Sequence, residues 1–141
     1  MIYERILLPV SGKFKGERAQ KALVHALKLT SAELVLLHAY QPLPKIVGGE
    51  AHTALVAEAT SNSLTLLSTI INQVQQAGLP YKIRIVEGAP AEAIIHIADE
   101  EKCDLIVMYT DGRDDLADML MGSVTERVLR NTDVPLLAIR R

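Results

Sequence analysis

Tryptophan is absent from this 141-residue chain, phenylalanine and cysteine occur once each, and aromatic residues make up 4% of the total. A core without large rings has to be aliphatic, and the hydrophobic 49% of the sequence is chiefly Leu, Ile, Val and Ala. The single cysteine, Cys103, excludes an intramolecular disulfide and reads as a small core residue between a helix and a strand. Neither sign of charge dominates. A formal net charge of −2 offers no general attraction to nucleic acid or to an anionic membrane, so neither is expected as a partner. No apolar run approaches the roughly 20 residues of a membrane span, and Ile6 to Val10 is too short for a signal-peptide core. The expectation is a cytoplasmic protein without membrane insertion. No linker or internal repeat divides the chain, so residues 1–141 read as one domain, long enough to bury its own core.

What is present is an alternation of short apolar runs and helical patterns. Ile6 to Val10 reads as a strand ended by Ser11-Gly12. Ala19, Ala22, Leu23, Ala26, Leu27 and Thr30 recur at helical spacing over about Gly16 to Leu29. Leu34 to Ala39 is apolar on both faces, which suits a central parallel strand. A Pro- and Gly-rich loop is expected from Gln41 to about Thr53. A long helix then follows, with Leu64, Leu67, Ile71 and Val74 on one face and Gly78 at its end. Tyr81 to Glu87 alternates apolar with charged residues, as an edge strand with one solvated face does. Pro90 opens a third helix whose stripe is Ala91, Ile94, Ile95 and Ala98. Asp104 to Met108 is the fourth strand, and a helix runs from Ser123 to about Asn131. Val134 to Ile139 is the fifth strand, with Pro135 confining it to an edge. Such alternation predicts an α/β fold, a parallel five-stranded sheet with helices on both faces.

Folds of this kind bind ligands beyond the carboxyl ends of their strands. Here that edge is built from Ser11-Gly12, His38-Ala39 and the stretch from Tyr109 to Gly122. Gly112 and Gly122-Ser123 punctuate the last of these just before a helix, and a helix start offers unpaired N–H groups and partial positive charge to a phosphate. Other constellations are weaker. Ser11-Gly12-Lys13 lacks the upstream glycine and the following Ser or Thr of a Walker loop. Lys13 and Lys15 read as solvated charges, and His38 as a histidine satisfied by backbone. His25, His52, His96 and Cys103 share no metal-ligand spacing, so no metal site is expected. Ser11 and Ser63 lack the partners of a hydrolase triad.

The order and spacing of these pieces resemble the universal stress protein family over essentially the whole chain. The resemblance is carried by Ile6-Leu-Leu-Pro-Val-Ser-Gly12, Leu36-Leu-His38-Ala and Glu87-Gly-Ala-Pro-Ala-Glu-Ala-Ile94. It is most specific in Asp104-Leu-Ile-Val-Met108, Gly122-Ser-Val-Thr-Glu-Arg-Val-Leu129 and Val134-Pro-Leu-Leu-Ala-Ile139. It implies strand order 3-2-1-4-5 and a homodimer through Val134 to Ile139, an apolar edge that in any case needs a cover. It also implies a stress-response or signalling role, exerted through an unidentified protein partner. ATP or another adenine nucleotide, with Mg²⁺, is the implied ligand. By this resemblance Pro9, Val10 and Ser11 flank the adenine or ribose, with Ala39 contributing backbone. Gly112, Arg113, Gly122, Ser123, Val124 and Thr125 hold the phosphates.

Nucleotide-binding members carry a glycine, two residues, a second glycine, nine residues, then Gly-Ser or Gly-Thr, and an aspartate after the first strand. Gly112, Gly122 and Ser123 fit, but Tyr109 stands at the first glycine and Ser11 at the aspartate. A tyrosine forced into a left-handed backbone costs about 1–2 kcal/mol. Asp111, Asp114, Asp115 and Asp118 crowd the loop, and a carboxylate about 8 Å from a phosphate repels it by roughly 2 kcal/mol unless Mg²⁺ bridges them. Three readings follow: a nucleotide-binding protein, a nucleotide-free dimeric interaction module of the same fold, and last a slow Mg²⁺-dependent ATP hydrolase, for which no poised base is visible. If the site is an eroded one, Tyr109→Gly with Ser11→Asp is expected to strengthen binding.

Overall fold

The alternation is realised as β1 (Arg5–Pro9), α1 (Glu17–Leu29), β2 (Glu33–Tyr40), α2 (Gly49–Gln76), β3 (Tyr81–Glu87), α3 (Pro90–Glu100), β4 (Leu105–Tyr109), α4 (Ser123–Asn131) and β5 (Leu136–Ile139). The structure, a computed structural model, describes residues 3–12, 16–29, 32–45, 48–110 and 122–140. The strands form one sheet in the order β3-β2-β1-β4-β5, with every pairing parallel. Leu7 of β1 faces Val35 on one side and Ile106 on the other, so the first strand is the centre of the sheet.

Parallel strands joined by helices are covered on both faces, and the residue-by-residue alternation of a strand then feeds two cores. Ile6, Leu8, Leu34, Leu36, Leu105 and Val107 pack under α1 and α2 with Leu23, Leu67 and Ile70. Leu7, Val35, Leu37, Ile106 and Met108 pack under α3 and α4 with Ile94, Ile97 and Val128. Cys103 belongs to this second core, and burial pushes its thiol up to about 12.

Three expectations shift. The second helix starts at Gly49 rather than beyond Thr53, because Gly48 already supplies the extended entry and the Ala-rich stretch after it favours helix. Its buried stripe is Ser63, Leu67, Ile70 and Val74, while Leu64 is 44% exposed. Ser63 enters the core because its hydroxyl donates to the Ala59 carbonyl at 2.7 Å. By length and composition this helix could also cross a membrane, but Glu50, His52, Glu58, Ser61, Asn62 and Ser63 interrupt it, so that no continuous apolar run of about 20 residues occurs. The charged face of β3 is paired: Lys82 and Arg84 meet the buried Glu101 at 2.7 and 3.2 Å, and Arg84 also meets Glu100 at 3.1 Å.

The fourth strand is displaced by one residue. Asp104 lies outside it, its carboxylate accepting from the N–H groups of Glu4 and Arg5 at 2.9 Å each. Tyr109 lies inside it, paired with Ile139. Pro135 keeps β5 from starting at Val134, yet its carbonyl still accepts from Ile106 N–H at 2.9 Å. At the close of α2, Gly78 takes φ +70, the left-handed turn for which glycine was expected there.

Candidate functional site

Because all five strands run the same way, each returning helix starts at the carboxyl edge of the sheet. The first turns of α1, α3 and α4 converge there around a cleft of ≈ 530 Å³. The tips of β1, β2 and β4 line it through Pro9 to Gly12, Leu37 to Ala39, and Met108 with Tyr109. Pro90 and Ile94 come from α3, Arg18 and Ala19 from α1, and residues 122–126 from α4. Three helix N-termini aimed at one space make its potential favourable to an anion.

Backbone bonds hold the tips together. Val10 N–H donates to the Leu37 carbonyl at 2.7 Å, and His38 Nδ1 contacts the Val10 carbonyl at the same distance. A carbonyl only accepts, so Nδ1–H is the donor in this contact. His38 is thus satisfied by backbone, as expected, while also lining the cleft.

On the β4 side, buried Thr110 ties the edge to α4. Its N–H donates to the Ile139 carbonyl at 2.9 Å, and its hydroxyl accepts the Gly122 N–H at 3.1 Å. Gly122 is the residue before the helix, in an extended conformation (φ −62, ψ 153), and as a glycine it supplies no side-chain cap to α4. The helix starts at Ser123 as expected, with Gly122 at the cap position. The first N–H groups of the helix open at the cleft without an intrahelical acceptor.

Tyr109 also departs from expectation. Among the described residues Lys102 is the only non-glycine with positive φ, so Tyr109 bears none of the strain anticipated for it. Strand alternation turns it to the α1 face with Leu105 and Val107, where Arg18 Cζ lies 5.6 Å and Lys21 Nζ 5.8 Å from the centre of its ring.

Of the residues singled out from sequence, Pro9, Val10, Ser11, Ala39, Gly122, Ser123, Val124 and Thr125 line this one cleft. Gly112 and Arg113 lie outside the described residues, as do Asp111, Asp114, Asp115, Asp118, Lys13 and Lys15. Sequence reasoning did not find Arg18, Pro90, Ile94 or Glu126. The available signal was position, since each falls in the first turns of a helix that a parallel fold starts at the ligand edge. Among the described residues no three His, Cys, Asp or Glu side chains group as a metal site.

The model of the universal stress protein family matches residues 2–140. The chain belongs to the universal stress protein family. It is similar to universal stress protein MJ0577 of Methanocaldococcus jannaschii, with 28% identity over 157 residues that span 100% of this chain and 97% of that protein. Superposed on the solved structure of MJ0577, it gives a TM-score of 0.77 at 32% identity, covering 100% of this chain and 98% of the other. A universal stress protein solved in complex with cAMP gives 0.73 at 24% identity, covering 99% and 98% of the two chains. A family protein from Arabidopsis thaliana with AMP bound gives 0.69 at 15%, covering 98% and 92%. At those identities the last two establish the shared fold of this universal stress protein and no more.

Proposed function

We propose that this universal stress protein binds ATP or another adenine nucleotide in the cleft and acts in the cytoplasm as a stress-response or signalling protein through partner interactions. The observation that carries the reading is the polarity of the cleft from one side to the other. Its β2 side is apolar, with Leu37, Ala39, Pro90 and Ile94, and suits a base. Its β4 side holds the start of α4, whose cap residue Gly122 has no side chain to occupy the first N–H groups, and suits phosphates. With strands about 4.8 Å apart, the tips of β2 and β4 are about 10 Å apart, enough to separate the two ends of a nucleotide. Pro9, Val10 and Ser11 lie between them on the central strand and would flank the adenine or ribose. Mg²⁺ would travel on the phosphate oxygens. That fold relatives have been solved with cAMP and with AMP supports the same reading.

The homodimer belongs to this proposal. β5 is an edge strand whose Leu137 is 36% exposed, with Leu129 of neighbouring α4 50% exposed, and such an edge is a template for a second copy.

The test is the small-molecule content of gently purified protein, released by denaturation and identified by chromatography and mass. ATP, ADP or AMP at near-stoichiometric amounts supports the proposal. An empty protein that shows no thermal shift with millimolar Mg-ATP refutes it and favours the nucleotide-free interaction module. Sedimentation at several concentrations tests the dimer, which a monomer at all of them would overturn.

A further inference from the structure

We propose that Arg18, braced on the ring of Tyr109, is the side chain through which the cleft distinguishes phosphorylated from unphosphorylated adenine ligands; this rests on the nucleotide reading above. Arg18 is the one Lys or Arg among the described residues that line the cleft. It is the second residue of α1, next to the acidic Glu17 in the first turn. Lys21, three residues on and on the same face, adds a second like charge. Both cations lie over one tyrosine ring, whose negative face attracts them and holds the guanidinium by the end of β4. That is the side of the cleft on which Gly122 and the start of α4 lie.

The two cations differ in what they face. Arg18 lines the cleft, whereas Lys21 lines a shallow groove between α1 and α2 that opens elsewhere. Of these two, only Arg18 is therefore in position to present its planar fork to a phosphate, a geometry that takes two oxygens at once. Tyr109 acts as a positioning residue. The aromatic at the position where binders have glycine thus supplies a support rather than an obstruction.

The experiment is calorimetric titration of the full chain and of Arg18→Ala, Lys21→Ala, Tyr109→Phe and Tyr109→Leu with adenosine, AMP and Mg-ATP. The expected result is that Arg18→Ala weakens Mg-ATP by roughly 10-fold or more while adenosine affinity stays put. Lys21→Ala is expected to leave the ratio of ATP to adenosine affinity within about twofold. Tyr109→Phe, which keeps the ring face, is expected to behave as wild type, and Tyr109→Leu to lose part of the ratio. An unchanged ratio in Arg18→Ala, or an equal loss in Lys21→Ala, overturns the inference and leaves nucleotide binding intact. If wild type binds none of the three ligands, the nucleotide reading fails and this inference falls with it. Arg18 is only partly buried, so its truncation tests the point even if Tyr109→Leu does not fold.

Discussion

The link between Thr110 and Gly122 decides how α4 is presented to the cleft, and it can be cut with one atom. In Thr110→Val the hydroxyl that accepts the Gly122 N–H at 3.1 Å becomes a methyl group of similar volume. A neutral hydrogen bond contributes about 0.5–1.5 kcal/mol, and an orphaned buried donor costs about 1–3. Gly122 is only half-buried, so water recovers part of that. The added methyl, at a residue 5% exposed, returns up to about 0.8 kcal/mol. The net loss is about 1 kcal/mol, or roughly 2–4 °C in Tm for a chain of this size. Thr110→Ser loses a buried methyl instead and costs about the same, so stability alone does not separate the two. Amide exchange does. Gly122 N–H is expected to lose about tenfold protection in Thr110→Val and to keep most of it in Thr110→Ser. Equal protection at Gly122 in wild type and Thr110→Val would refute the reasoning, because the hydroxyl would then not be the partner that holds the helix entry.

Three further outcomes are expected. The Lys82 hydrogen bond, opposed by burial and aided by Arg84, holds the Glu101 carboxyl below its usual 4.5. Its stabilisation is therefore full above the unfolded value and lost as pH falls through the lower folded one. Glu101→Gln should cost about 1–2 kcal/mol at pH 7, at the low end because Lys82 is half exposed and Arg84 keeps Glu100, and denaturant titrations should show the gap closing below about pH 4. Gly16 has φ +78, and a Cβ there would touch Leu66 and Val10 at an ordinary 3.6 Å, so Gly16→Ala should cost about 1–2 kcal/mol through backbone strain alone, as urea unfolding can measure. Cys103, with its thiol near 12 instead of 9.0, should react with iodoacetamide at pH 8 roughly 1000-fold more slowly in the native chain than in denaturant.

The fold was legible because aliphatic runs as short as Ile6 to Leu8 and Leu34 to Leu37 have no other place than a sheet covered on both faces. Strand order was not in the periodicity; it came from the resemblance. The stripe of α2 was misread by a residue because a serine that bonds its own helix backbone is as buriable as a leucine, and hydropathy does not register that. At the cleft, the residues at strand tips and at the start of α4 were legible as loop and helix-start positions. Arg18 was not, because its meaning depends on Tyr109, about ninety residues away in sequence and brought under it by the pairing of β1 with β4.

That dependence reverses the expectation for Tyr109→Gly. From sequence, restoring glycine at this position, together with Ser11→Asp, promises tighter nucleotide binding, on the premise that a tyrosine there is strained. The premise fails: Tyr109 sits in a strand, paired with Ile139, without positive φ. Glycine within a strand costs about 0.5–1 kcal/mol in backbone entropy, and the substitution also removes a half-buried ring from against α1. It leaves Arg18 and Lys21 three residues apart without the ring that both approach. Tyr109→Gly should accordingly lower Tm and weaken Mg-ATP more than adenosine, and adding Ser11→Asp should not restore either. The pair of titrations that measures the two ligands reads this directly. Tighter Mg-ATP binding in the single variant would mean that the ring obstructs the cleft, and that the glycine pattern, not the brace on Arg18, governs the phosphate end.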